Sequence, residues 1–177
     1  MILKLLDRVS RKLEEAEIPY MLSGSLAMNI YTVPRMTRDI DLVIHMDRSH
    51  IERLASLFHT GYYIDPEVIA SAVANEGMFN VVDHETGNKI DFIIRKSSDF
   101  HITEFDRRVR SSAFGFDVWV VTAEDLIVSK LKWIQDLESD TQKRDISNLL
   151  TRKDLDREYI DDWCNQLSLN TYGLLES

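Results

Sequence analysis

The chain has 177 residues, 44% of them hydrophobic, and a formal net charge of −9. That size suits one domain, or one domain with an appendage, with enough apolar residues for a real core. The acidic balance argues against a broad non-specific nucleic-acid coat, and a single cysteine, Cys164, rules out an intramolecular disulfide and fits a reducing compartment.

Near the N-terminus, Lys4, Asp7, Arg8 and Arg11 interrupt any signal-peptide core. No later stretch is long enough to span a bilayer, so a soluble, cytoplasmic protein is expected. Residues 2–17 carry Ile2, Leu5, Leu6, Val9, Leu13 and Ala16 at helical spacing. Tyr20–Leu22 predicts a short strand, and Gly24–Tyr31 a short helix stopped by Val33-Pro34. Ile40–His45 predicts a strand. Asp47 is a candidate N-cap for a helix over 48–59, which Gly61 ends. Tyr62–Ile64 reads as a strand, and Pro66 opens a helix to about Ala74. In 79–95 two β-rich runs flank a turn at His84–Asn88, a hairpin signal. Residues 97–113 are polar and mixed and predict no element. Phe116–Val121 predicts a strand. Thr122-Ala-Glu-Asp125 has the form of a capping box opening a helix through Leu126, Ile127, Leu131 and Ile134. Arg144–Leu150 and Leu155–Leu167 predict two more helices, followed by a tail. Mixed strands and helices followed by helices alone predict an α+β fold: a core over 1–121 and a helical C-terminal extension over 122–177, which can pack as one domain.

The chemistry concentrates in a few acids set among apolar residues. On a strand, residues two apart share a face, so Asp39 and Asp41 project together while Ile40 and Leu42 face the other way. Neighbouring carboxylates repel, and a divalent cation removes the conflict. Mg²⁺ commonly takes one or two carboxylates plus substrate phosphates. The bland alternative is a pair of solvated strand-end acids. Ser23-Gly24-Ser25 lies at a strand-to-helix junction, where glycine, a hydroxyl and helix N-terminal amides suit a phosphate or simply cap the helix. Asp91, in Lys89-Ile-Asp-Phe-Ile93, is a third acid inside an apolar strand. It joins the cluster if its strand lies beside Ile40; otherwise it pairs with Lys89 or Arg95.

Together Gly24-Ser25, Asp39-x-Asp41 and Asp91 resemble the nucleotidyltransferase superfamily, whose fold includes DNA polymerase β and the antibiotic nucleotidyltransferases. The resemblance implies a mixed β-sheet packed with helices. It implies metal binding by Asp39 and Asp41, and for Asp91 a part in the metal site and in activating the attacking hydroxyl. Two Mg²⁺ ions, or Mn²⁺, would carry an NTP such as ATP, with Gly24 and Ser25 at its phosphates. Further on, 122-TAEDLIVSKLKWIQD-136 and 143-KRDISNLL-150 resemble the AbiEii/AbiGii toxin-type branch, on Glu124, Asp125, Lys130, Arg144 and Asp145. That likeness implies that Lys130 faces the nucleotide, against the alternative of a snorkelling surface lysine. It also implies a cognate antitoxin. Few residues follow Leu150, where many members of that branch carry a larger helical portion.

The activity so implied moves an NMP from an NTP to an acceptor hydroxyl on RNA or protein. A small-molecule acceptor, as in the antibiotic enzymes, and a non-catalytic binding subunit are the alternatives. Arg35, Arg38 and Lys130 are candidates to balance triphosphate charge, with Arg38 turned from the acids by strand alternation. Arg107, Arg108 and Arg110 form the one basic concentration and read as a solvated face before an RNA contact. The histidines show no zinc spacing. Trp119, Trp133 and Trp163 read as packing residues.

Overall fold

A computed structural model describes residues 2–176. Helix α1 (Ile2–Glu15) buries Leu5, Leu6, Val9 and Leu13 along one stripe. Strand β1 (Tyr20–Ser23) then runs straight into α2 (Gly24–Tyr31), and β2 spans Asp39–Ile44. Asp47 accepts the Ser49 amide at 2.8 Å and starts a 3₁₀ turn that continues as α3 (Ile51–Leu57). After β3 (Tyr62–Tyr63), Asp65 caps α4 (Pro66–Ala74), with Pro66 in its first turn. The hairpin forms from β4 (Met78–Asp83) and β5 (Lys89–Ile94), its turn tied by the Asp83 carboxylate to the Thr86 amide and hydroxyl.

Residues 97–113 are more ordered than their composition predicts: they form α5 (Asp99–Asp106) and β6 (Val109–Ser111). Phe100 and Phe105 anchor α5 in the core, and the polar residues His101, Thr103 and Glu104 between them mask the helical period. Next come β7 (Val118–Val120) and α6 (Ala123–Asp136), whose cap is Thr122 accepting from the Asp125 amide. Helices α7 (Asp140–Leu150) and α8 (Arg157–Gln166) open on the caps Ser139 and Asp156. The predicted tail folds back instead. Gln135 on α6 exchanges hydrogen bonds with the Asn170 backbone at 2.9 and 3.0 Å, and Tyr172 donates to the Ile134 carbonyl at 3.1 Å.

The seven strands form one mixed sheet in the order β3-β4-β5-β2-β1-β7-β6. Strand β2 lies at its centre, antiparallel to β1 and parallel to β5. Ile40, Leu42 and Ile44 are fully buried and hold β2 in register, because a one-residue slip would turn its acids into the core. One cluster of buried residues runs from Leu5 of α1 to Cys164 of α8. The fold is α+β, with helices packed on a mixed sheet.

Candidate active site

The site is made by strand register. Asp41 of β2 lies opposite Asp91 of β5, and Asp39 opposite Lys89. Cross-strand partners share a face about 4.8 Å apart, so the Asp41 and Asp91 side chains stand next to each other. Strand β1 sets Ser23 opposite Asp41, and β4 sets Asn80 opposite Asp91. A polar row of Ser23, Asp41, Asp91 and Asn80 therefore crosses four strands. Asp39 is exposed at the mouth, Asp41 is half-buried, and Asp91 is buried.

The chain turns from β1 into α2 directly over Asp41. Gly24 has φ +63°, and a Cβ there would sit 2.0 Å from Asp41 Oδ2. Glycine is needed twice over, for the left-handed backbone and for the close approach. Ser23 precedes α2 without lending its side chain as a cap, so the first-turn amides keep their donors free of one.

Lys130 reaches the site from α6 and is buried, not snorkelling. Its ammonium donates to Asp145 Oδ2 at 3.0 Å and to Gln142 Oε1 at 2.7 Å. Asp145 also receives a two-pronged contact from Arg35, Nε at 3.1 Å and Nη2 at 2.9 Å. The same Arg35 Nη2 donates to Ser25 Oγ at 2.7 Å. One buried carboxylate thus ties Ser25 of α2, through Arg35 of the α2–β2 loop, to helices α6 and α7.

The charges are unevenly satisfied. Burial and the neighbouring Asp91 and Asp39 carboxylates push Asp41 up to about 6, against the pull of Lys130 and Lys89. Burial also draws the Lys130 ammonium below its ordinary range, with Asp145 acting in the opposite sense. Asp145 is held below the usual carboxylate range: its burial is outweighed by Arg35 and Lys130. Asp91 Oδ2 pairs with Lys89 Nζ at 3.0 Å, while Asp91 Oδ1 is buried with no hydrogen-bond donor among the described residues.

No three His, Cys, Asp or Glu side chains among the described residues are gathered closely enough to cage a metal ion. Mg²⁺ does not need such a cage, since it binds through one or two carboxylates, water and substrate phosphate. The hard oxygen donors of Asp39, Asp41 and Asp91 suit it, and so do the orphaned Asp91 Oδ1 and the crowded charge at Asp41.

Strand pairing and the β1–α2 turn thus set Asp39, Asp41 and Asp91 on one face of the sheet beneath Gly24, the contacts through Arg35 and Asp145 join Ser25 to Lys130, and Lys130 acts on Asp41 electrostatically. Arg38 is exposed just before β2, with no hydrogen bond or ion pair among the described residues. Three features went unremarked in the sequence. Asn80 follows from the alternation of β4 once its register with Asp91 is known. Gln142 precedes Asp145 by one helical turn and so shares its face. The third is the pairing of Arg35 with Asp145, two residues that the sequence singles out separately and that no local pattern joins. Asp125 is a tether: its buried carboxylate takes Arg107 Nε at 3.0 Å, the Thr122 hydroxyl at 2.6 Å and the Tyr159 hydroxyl. Arg107 stacks on Tyr159, and Arg108 lies over Phe105 and Trp119. Arg110 pairs with Glu14 and Asp117. Trp133 is half exposed and outside the core, unlike the packing residue its type predicts. A surface cavity of about 360 Å³ between α4 and β4 contains none of the site groups.

The central mixed sheet, the glycine turn over β2 and the helices behind it define a nucleotidyltransferase fold. No protein-family model matches the chain, and no curated protein matches it. Among solved structures it is similar to the antibiotic-resistance factor ANT(2'')-Ia, with TM-score 0.65 and 13% identity over 98% of this chain and 94% of that one. ANT(2'')-Ia has also been solved with adenylyl-2''-tobramycin, and that structure aligns at the same TM-score. The lincosamide antibiotic adenylyltransferase LnuA, lincomycin-bound, aligns at TM-score 0.55 and 16% identity, covering 84% of this chain and 96% of its own. A nucleotidyltransferase-like protein of Paracoccidioides brasiliensis aligns at 0.57 and 18%, covering 93% and 86%.

Proposed function

We propose that the chain is a metal-dependent nucleotidyltransferase that moves a nucleoside monophosphate from an NTP to the hydroxyl of a small-molecule acceptor. The observation that carries this reading is the pairing of Asp41 with Asp91 on adjacent parallel strands beneath the Gly24 turn. Asp39, Asp41 and Asp91 would hold Mg²⁺, which supplies charge neutralisation at the reacting phosphate and at the departing pyrophosphate. Asp91 Oδ1, buried and without a donor among the described residues, would take the proton of the acceptor hydroxyl. The acceptor oxygen bonds to the α-phosphorus as the bond to the α–β bridging oxygen breaks, and pyrophosphate leaves. Ser25 Oγ accepts from Arg35, so its own proton is free for a phosphate oxygen beside the first-turn amides of α2. Lys130 and Arg35, preset by Asp145, face the pyrophosphate charge. Catalysis of this kind rests on positioning and electrostatics. Arg38 serves as an exposed supplementary cation at the mouth.

The acceptor reading leaves the RNA or protein substrate of the toxin-type branch. The arginines that offered an RNA contact are occupied by Asp125, Glu14, Asp117 and aromatic faces. The net charge of −9 suits cationic acceptors such as aminoglycosides. Tobramycin and lincomycin accompany the similar folds. The test incubates the protein and Mg²⁺ with each α-labelled NTP and, in separate arms, aminoglycosides, lincosamides, total RNA and total protein. Label on a small molecule, lost in Asp41→Ala and Asp91→Ala, is expected. Label on RNA or protein would restore the toxin-type reading, and neither transfer nor NTP binding would leave a non-catalytic subunit.

A further inference from the structure

Two cations, Lys130 and Lys89, act on the Asp41 carboxylate, and Arg35 shares Asp145 with Lys130; the three are held very differently. Lys130 is buried and fixed by Asp145 and Gln142. Arg35 is fixed by Asp145 and Ser25. Among the described residues Lys89 has one ionic contact, its Nζ 3.0 Å from Asp91 Oδ2, and its side chain is 40% exposed. It sits on the same face of β5 as Asp91, in register with Asp39 of β2. Its ammonium therefore lies against the same carboxylates that would receive a metal ion. Leaving Asp91 would cost the already exposed Lys89 ammonium one contact, and an incoming cation would take its place on the buried Asp91 carboxylate, whereas Lys130 and Arg35 would each give up contacts with Asp145 and a second partner.

We propose that Lys89 is a built-in counter-ion of the carboxylate cluster, holding Asp91 in the metal-free protein and displaced from Asp91 Oδ2 when a divalent cation binds. This rests on reading Asp39, Asp41 and Asp91 as the metal site. Two like-charged species cannot share one carboxylate cheaply, so the ammonium lowers the affinity for a bare ion. It also keeps neighbouring carboxylates from facing one another unbalanced when the site is empty. An NTP-bound ion brings its own phosphate ligands and is better placed to evict the ammonium, which links metal loading to substrate arrival.

The experiment titrates chelator-stripped protein with Mn²⁺, reading free Mn²⁺ by electron paramagnetic resonance. The chains compared are the wild type, Lys89→Gln, Lys89→Arg and Asp41→Asn. Lys89→Gln is expected to bind Mn²⁺ about tenfold tighter, the order for removing one partly exposed unit charge beside a divalent ion. Lys89→Arg should stay near wild type, and Asp41→Asn should lose binding. A second readout uses the wild-type chain with its lysines ¹³C-dimethylated, which keeps their charge. The Lys89 methyl resonance should move toward that of an exposed lysine as Mg²⁺ is added. Unchanged or weaker Mn²⁺ binding in Lys89→Gln, or a Lys89 resonance that stays fixed while Mg²⁺ binds, overturns the counter-ion role and leaves the metal site standing. No binding by any of the four chains overturns the metal site and the counter-ion with it. The resonance and Lys89→Arg carry the decision if Lys89→Gln fails to fold.

Discussion

Asp41→Asn should stabilise the metal-free protein while abolishing transfer. Burial, Asp91 and Asp39 raise the Asp41 carboxyl from the ordinary 3.8 to about 6. A carboxyl raised on folding costs nothing below its unfolded value, where it is protonated in both states. The cost grows as pH climbs from 3.8 to about 6 and is constant above that. A shift of about two units, at about 1.4 kcal/mol each, sets an upper bound of about 3 kcal/mol. A half-buried amide lacking a partner gives back about 1 kcal/mol, so a gain of about 1–2 kcal/mol is expected at pH 8. For a chain of this size that corresponds to roughly 3–6 °C in Tm. Thermal and urea unfolding of both chains in chelating buffer, at pH 8 and pH 4, checks it. At pH 4 the gain should disappear, leaving the variant up to about 1 kcal/mol less stable than wild type through its unpartnered amide. A variant no more stable than wild type at pH 8, or equally stabilised at both pH values, would refute the picture of crowded, unneutralised acids.

Gly24→Ala places a methyl into the Asp41 carboxylate and a side chain at φ +63°. The backbone cost is about 1–2 kcal/mol, and NTP binding, measured with a fluorescent nucleotide, should weaken more than stability does. Asp145→Asn removes the shared anchor of Lys130 and Arg35, so urea unfolding should show a loss of about 3 kcal/mol together with a raised KM for NTP. Asp125→Ala removes the tether of Arg107, Thr122 and Tyr159 and should cost about 3 kcal/mol, while activity per folded molecule at low temperature is retained. Burial pushes the Cys164 thiol up to about 11, so it should resist a thiol reagent at pH 8 until the chain is unfolded in urea.

Much of the site is legible in short patterns because its groups break local rules. An acid at every second position of an apolar strand is conspicuous at Asp39 and Asp41, as is Gly24 at a strand-to-helix junction. The supporting contacts are not conspicuous. Asp145 is one polar residue among several on an amphipathic helix, and its grip on Arg35 joins segments far apart in the chain. The basic run near Arg107 reads in sequence as a face offsetting nearby acids rather than an RNA contact, and folding decides which acids and rings it meets.

Alternation and capping, which act between residues a few positions apart, are enough to specify most elements, the pairing of Asp39 with Asp41 on one face, and the Gly24 turn. Strand order and register belong to the tertiary structure. Only the parallel pairing of β2 with β5 makes Asp91 the neighbour of Asp41. Only the packing of α6 and α7 behind α2 turns Lys130 inward. Those decisions are made by the burial of Ile40, Leu42, Ile44, Ile90 and Phe92, a non-directional force summed over the whole core.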